Sequence, residues 1–181
     1  MLFRETNLKG AYVIEVEERR DERGFFARTF CIEELAAYGL KLRAVQCSIA
    51  FSIERGTIRG MHYQIAPSPE AKLVRCTQGA VYDVIIDMRP ELPTYLQHFG
   101  IELSAGNHRT LYVPEMFAHG YQTLTDNTEV EYQISEFYAP DCARGVRYDD
   151  PALAIDWPLP VTMISAKDRA WPLIEPVTAI G

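Results

Sequence analysis

The sequence predicts an all-β fold: an antiparallel sandwich or barrel carrying a few short helices. Three observations lead there. Seven short segments rich in β-branched and aromatic residues follow one another between Thr57 and Ser135. Glycine, proline and asparagine punctuate them at Gly56, Gly79, Pro90, Pro93, Gly106-Asn107, Pro114 and Asp126-Asn127. Only one stretch has clear helical spacing. Many short strands with regular turn signals mark a closed or stacked antiparallel architecture.

The helix comes first. Ile32, Leu35 and Ala36 fall at i, i+3, i+4, and Gly39 supplies a stop. The strand segments are 57–64, 72–78, 80–88, 100–103, 110–113, 119–124 and 129–135. Gln78-Gly79-Ala80 reads as a tight link between two strands, and Asp126-Asn127 as another, because these residues tolerate turn geometry. The C-terminal part carries Pro151, Pro158, Pro160, Pro172 and Pro176. That is too much proline for a central sheet, so this part is expected to wrap the outside or close one barrel end.

Composition bounds the rest. The 181 residues fit one domain of about 100–200. Apolar residues at 48%, charged at 24% and aromatic at 11% exclude disorder, collagen and coiled coil as the main description. No apolar run approaches the ~18 residues that cross a bilayer, and MLFRETNLKG lacks the layout of a secretory signal. The expected address is the cytoplasm. A net charge of −7 disfavours general nucleic-acid binding, which needs broad phosphate neutralisation. A small anionic ligand stays open if Arg and Lys gather in a cleft. Cys31, Cys47, Cys76 and Cys142 form no CxxC pair and read as reduced thiols.

Two of the four histidines, His98 and His108, lie beside turn signals and are expected at the surface. His62 and His119 lie in strand-like segments. Lys72 shares a face with Val74 and Cys76 by the two-residue period, which turns an ammonium inward. Inward lysines are uncommon, since an unpartnered buried ammonium is costly. Tyr132 shares a face with Val130 and Ile134, while Glu131 and Gln133 point the other way. An imidazole, an ammonium and a phenol inside one barrel suit proton abstraction next to a ketone. Neutral imidazole serves as base, the ammonium faces the enolate, and the phenol returns a proton to the opposite face.

A carboxylate behind the imidazole would fix its tautomer, and Asp83 and Asp168 are both candidates. Asp168 also ends a Ser165-x-x-Asp168 pattern that caps helices. Arg23, Arg28 and Arg59 are candidates for an electrostatic surround. Strict alternation puts Arg59 and His62 on opposite faces, so a bulge at Gly60 is required if both serve one site.

These motifs resemble the dTDP-4-dehydrorhamnose 3,5-epimerases, small cupin-type β-barrel enzymes. The resemblance runs from about Asp21 to Asp168. DERGFF (21–26), RGMHYQ (59–64), KLVRCTQGAVYDVIIDMR (72–89), PTY (93–95), ELSAGN (102–107), VPEMFAHGYQ (113–122), EYQISEFYAP (131–140), RGVRYDDPAL (144–153), DWP (156–158) and SAKD (165–168) carry it, in family order. The resemblance implies a cupin-like jelly roll that inverts C3 and/or C5 of a 4-keto-6-deoxy nucleotide sugar. It implies His62 as base, Tyr132 as proton donor, Lys72 as enolate partner and Asp168 as the carboxylate behind His62. Substrate contacts are implied at Arg23, Gln46, Arg59, His119 and Lys167. No metal and no organic cofactor are implied, and the assembly is a homodimer whose N-terminal strand reaches the neighbour's sheet or site.

Some positions depart from the family pattern. A substrate-binding Glu is replaced by Arg28, a Q-D-N stretch becomes Gln46-Cys47-Ser48, and a Glu before the RG of RGVR is Ala143. Arg28 and Ser48 are therefore candidate contacts of altered character. Two rival readings are a non-catalytic nucleotide-sugar-binding barrel and a metal-dependent cupin oxygenase. Gln64 stands where a metal-binding cupin places a second His, which weakens the oxygenase reading.

Overall fold

The computed structural model describes residues 1–174. Pro176 lies outside them. The chain forms β1 (Leu2–Glu5), β2 (Tyr12–Glu15), β3 (Arg19–Asp21), β4 (Gly24–Phe26), α1 (Ile32–Ala37), β5 (Gln46–Ser52) and β6 (Thr57–Gln64). Then come β7 (Lys72–Gln78), β8 (Ala80–Asp87), β9 (His98–Ser104), β10 (Thr110–Val113), β11 (Phe117–Thr123) and β12 (Thr128–Ile134). Short β13 (Ala143–Gly145), β14 (Met163–Ile164) and α2 (Ala166–Arg169) complete the order.

Two sheets pack face to face, as a cupin-like jelly roll requires. One has the order β1-β2-β10-β7-β12-β5 and the other β13-β6-β11-β8-β9, with β14 added in parallel beside β6. Val74, Cys76, Leu111 and Val130 from the first sheet meet Val81, Ile85, Leu103 and Tyr121 from the second in a buried core. Alternation explains the arrangement: every second side chain of β7, β8 and β12 enters this layer.

All seven strand segments read from the sequence form, and so does the helix at Ile32–Ala37. The tight links do not close hairpins. Gly79 passes the chain from β7 in one sheet to β8 in the other, and the loop holding Asp126-Asn127 returns it from β11 to β12. Gly79 has φ +75, and a Cβ there would lie 2.7 Å from the Thr128 hydroxyl. A bulkier residue would push the two sheets apart at this corner.

The strands absent from the sequence expectation are short or have unusual exposure. Both β3 and β4 are exposed at every residue and pair only with each other. Edge strand β5 turns Ile49 and Phe51 outward, so its apolar face gives no inward pattern. In the proline-rich C-terminal part, β14 runs parallel along β6, and α2 sits against the same strand. His98 and His108 are half-buried rather than free on the surface: His98 opens β9, and the Phe25 ring packs edge-to-face on His108 at 5.2 Å between centroids.

Candidate active site

A cavity of about 770 Å³ opens between the two sheets under the C-terminal segment. It is lined by β5, β6, β7, β11 and β12 and by the stretch from Met163 to Trp171. Four basic side chains (Arg59, Lys72, Arg144 and Lys167) and two carboxylates (Glu70 and Asp168) face it. An acidic chain thus gathers positive charge in one cleft, the condition for holding an anionic small molecule.

The conflict between Arg59 and His62 is resolved by a bulge. On β11 the partners His119 and Tyr121 are two residues apart, while on β6 their partners His62 and Arg59 are three apart. The extra residue turns both side chains into the cavity. Gly60 has φ +128, and a Cβ on it would lie 2.5 Å from the Gly120 Cα. Glycines at both positions let the two strands approach at the cavity floor.

His62 Nε2 lies 2.5 Å from Asp168 Oδ1. These residues are 106 positions apart in the chain. Asp168 is also the N3 residue of α2, where its backbone N–H donates to the Ser165 hydroxyl at 3.0 Å. Both readings of Ser165-x-x-Asp168 are therefore correct: the backbone is capped and the side chain reaches His62. Burial alone would raise the Asp168 carboxyl. Hydrogen bonds and charge from His62, with help from Ser165 and the Gly60 backbone, hold it below its ordinary value.

Asp83 serves the other imidazole. Its carboxylate oxygens lie 3.0 and 2.9 Å from His119 Nε2. Complete burial pushes this carboxyl up, against the pull of His119 and Lys72. Of the two acids considered for His62, the geometry pairs Asp168 with it and Asp83 with His119.

Lys72 is buried and lines the cavity, as its alternation requires. Its Nζ lies 2.8 Å from Glu70 Oε1, a partner the sequence reading did not single out. Tyr132 enters from β12, with its ring edge-to-face against His119 at 5.9 Å between centroids. Burial drives its hydroxyl well above the usual phenol value, and Tyr121 and Asp83 push the same way. It stays protonated throughout the neutral range.

The remaining expected contacts divide. Gln46, Ser48, Arg59, His119 and Lys167 line the cavity. Arg59 donates to the Ser52 hydroxyl at 3.0 Å and to the Phe51 carbonyl at 2.8 Å. Arg23 and Arg28 are not brought to this cavity. Arg23 sits on the exposed β3–β4 turn, paired with Asp21 at 2.5 Å, and Arg28 pairs with Glu34 at 2.6 Å. The β3–β4 pair is hydrogen-bonded to neither main sheet, and Phe25 of β4 packs edge-to-face on His108 at 5.2 Å between centroids. Tyr138, Arg144 and Trp171 line the cavity without having been singled out. Tyr138 and Arg144 lay inside motifs already quoted. Trp171 stands beyond them, and its indole reaches the site by packing against Gly145 of β13, with the His62 ring 6.4 Å away between centroids.

Among the described residues, no group of three or more His, Cys, Asp or Glu converges as metal ligands would. None of the described helices is long and apolar enough to cross a membrane.

The family model for dTDP-4-dehydrorhamnose 3,5-epimerase matches residues 5–175. The chain belongs to this family. A curated family member from Methanothermobacter thermautotrophicus is 42% identical over 177 residues, covering 96% of this chain and 95% of that protein. The crystal structure of the Bacillus anthracis epimerase with TDP and PPi bound superposes with a TM-score of 0.92 at 43% identity, covering 96% of this chain and 99% of that one. A Legionella pneumophila epimerase in complex with dTDP-4-keto-L-rhamnose gives 0.88 at 36% identity, covering 95% and 92%. Family membership also makes this chain an isomerase of the epimerase class.

Proposed function

We propose that this protein epimerises a 4-keto-6-deoxy sugar on a nucleoside diphosphate, inverting C3 and C5 of a dTDP-4-dehydro-6-deoxyglucose-like substrate. The observation that carries the reading is the His62–Asp168 pair at 2.5 Å, facing one cavity with Lys72 and Tyr132.

The 4-keto group acidifies the C–H bonds on either side of it. With His62 Nε2–H donating to Asp168, its Nδ1 lone pair takes the proton from the sugar carbon. Asp168 then balances the imidazolium that forms. Electron density moves to the ketone oxygen, where the buried Lys72 supplies positive charge. Tyr132, kept protonated by burial, delivers a proton to the opposite face of the enolate. Water-mediated recovery of the tyrosine proton and return of the His62 proton complete the cycle. Arg59 and Lys167 suit the diphosphate, and Gln46, Ser48 and His119 suit the sugar and base.

We read the chain as one domain that works in the cytoplasm as a homodimer. The exposed β3–β4 pair fits a role across the dimer, carrying Arg23 and Arg28 with Phe25 and Phe26, 42% and 73% exposed, into the neighbour's cavity. Arg28 at a place the family fills with Glu changes the charge offered there.

The test is solvent deuterium wash-in at C3 and C5, scored on 4-keto-6-deoxy sugars carried by dTDP, CDP, GDP and UDP. Incorporation at both carbons of the dTDP sugar is expected. A silent panel would leave only a nucleotide-sugar-binding barrel. Tyr132→Phe is expected to slow completed inversion more than initial exchange, because the base that starts exchange is untouched. Equal slowing of both would remove Tyr132 from the donor role.

A further inference from the structure

We propose that Glu70 is a positioning residue for the reaction, acting through Lys72. This rests on the role given to Lys72 above. Glu70 and Lys72 are two residues apart in extended chain, so their side chains leave on one face. The stretch between them is pinned: Ala71 N–H donates to the Ser135 hydroxyl at 2.8 Å, and Ser135 N–H donates to the Ala71 carbonyl at 3.0 Å. Ala71 itself is 1% exposed. The backbone thus has no freedom to carry the two heads apart.

The heads meet at 2.8 Å, with side chains 10% and 8% exposed, and both line the cavity. Around the ammonium stand the Glu70 carboxylate, the His62 carbonyl at a long 3.5 Å, and the charge of Asp83 farther off. Glu70 is the short contact among them. An ammonium on a four-carbon stem has many rotamers, and a charge stabilises an enolate only where it already points at the oxygen. Glu70 selects the rotamer that holds Nζ beside the strand carrying His62. It makes no proton transfer itself.

The experiment is a cycle of Glu70→Ala, Lys72→Ala and the double variant, with Glu70→Gln alongside. Each is assayed for kcat and KM by deuterium wash-in, with thermal melts to confirm folding. Glu70→Ala is expected to lower kcat about 10–100-fold, the scale of a misplaced catalytic group, with KM changed less than about threefold. Glu70→Gln keeps an acceptor at the same reach and should recover part of the loss. The decisive result is non-additivity: the double variant should be no slower than Lys72→Ala alone. A double variant slowed by the product of the two single effects would overturn the proposal, as would wild-type kcat in Glu70→Ala. Should Glu70→Ala not fold, Glu70→Gln carries the cycle, paired with Lys72→Ala in the same way. Wild-type turnover in Lys72→Ala would refute the role of the lysine itself, a failure distinct from a silent Glu70.

Discussion

Two imidazole–carboxylate pairs stand on neighbouring strands and differ in almost everything but their chemistry. His62 on β6 faces His119 on β11 across the ladder. The His62 side chain is 43% exposed and Asp168 8%, whereas His119 is 4% exposed and Asp83 not at all. The carboxyl behind His62 is held below its ordinary value and the one behind His119 is pushed above it. One pair therefore keeps a full negative charge beside a ring that reaches the cavity. The other is a closed hydrogen bond inside the sheet. A base that exchanges a proton with substrate needs the first arrangement, and a fixed contact wall needs the second. Burial raises both carboxyls. The roles separate because hydrogen bonds and charge from His62, Ser165 and the Gly60 backbone outweigh it at Asp168, whereas His119 and Lys72 do not outweigh it at Asp83.

The largest effect should come from breaking the open pair at its ring. His62→Ala is expected to lower wash-in at both carbons toward the upper end of the ~10²–10⁴-fold range for a positioned base. Normal exchange in this variant would move the base elsewhere. Asp168→Asn keeps the shape and removes the charge, so a loss nearer the lower end of that ~10²–10⁴-fold range is expected, with KM little altered. The corresponding Asp83→Asn should change kcat less than Asp168→Asn does. If the order were reversed, the closed pair would be the working one.

The smallest effect sharpens the contrast through pH. Asp168 has a folded value below its ordinary 3.8, so its stabilisation is complete above 3.8 and fades as pH falls through the folded value. Asp83 has a folded value above 3.8, so its ionisation costs stability as pH rises from 3.8 through that value. Melting temperatures measured against pH should show wild type losing ground to Asp168→Asn toward acid. They should show wild type losing ground to Asp83→Asn as pH rises above 3.8. Slopes of the same sign in both comparisons would mean that the two carboxyls do not differ in how burial is balanced against hydrogen bonds and charge.

Much of this was legible without coordinates. Alternation in β7 and β12 placed Lys72 and Tyr132 inward, and the structure puts both on the cavity. The spacing of Arg59 and His62 required a bulge at Gly60, and the register shift is there. The edge elements were not legible. Strand β5 presents Ile49, 66% exposed, to the outside, and β3 and β4 have no buried face to generate a pattern. Glu70 escaped notice because one carboxylate before a strand looks like any solvated charge. Only its 2.8 Å approach to Lys72 gives it meaning.

By itself the sequence determined the local matters: which stretches extend, where turns fall, which side chains share a face, and which motifs bind the chain to its family. Those follow from backbone geometry and side-chain period, which act over a few residues. The tertiary structure decided which sheet each strand joins, which carboxylate stands behind which imidazole, and that Arg23 and Arg28 stay outside this cavity. Such choices depend on contacts between distant parts of the chain, where desolvation and close packing, rather than local preference, set the outcome.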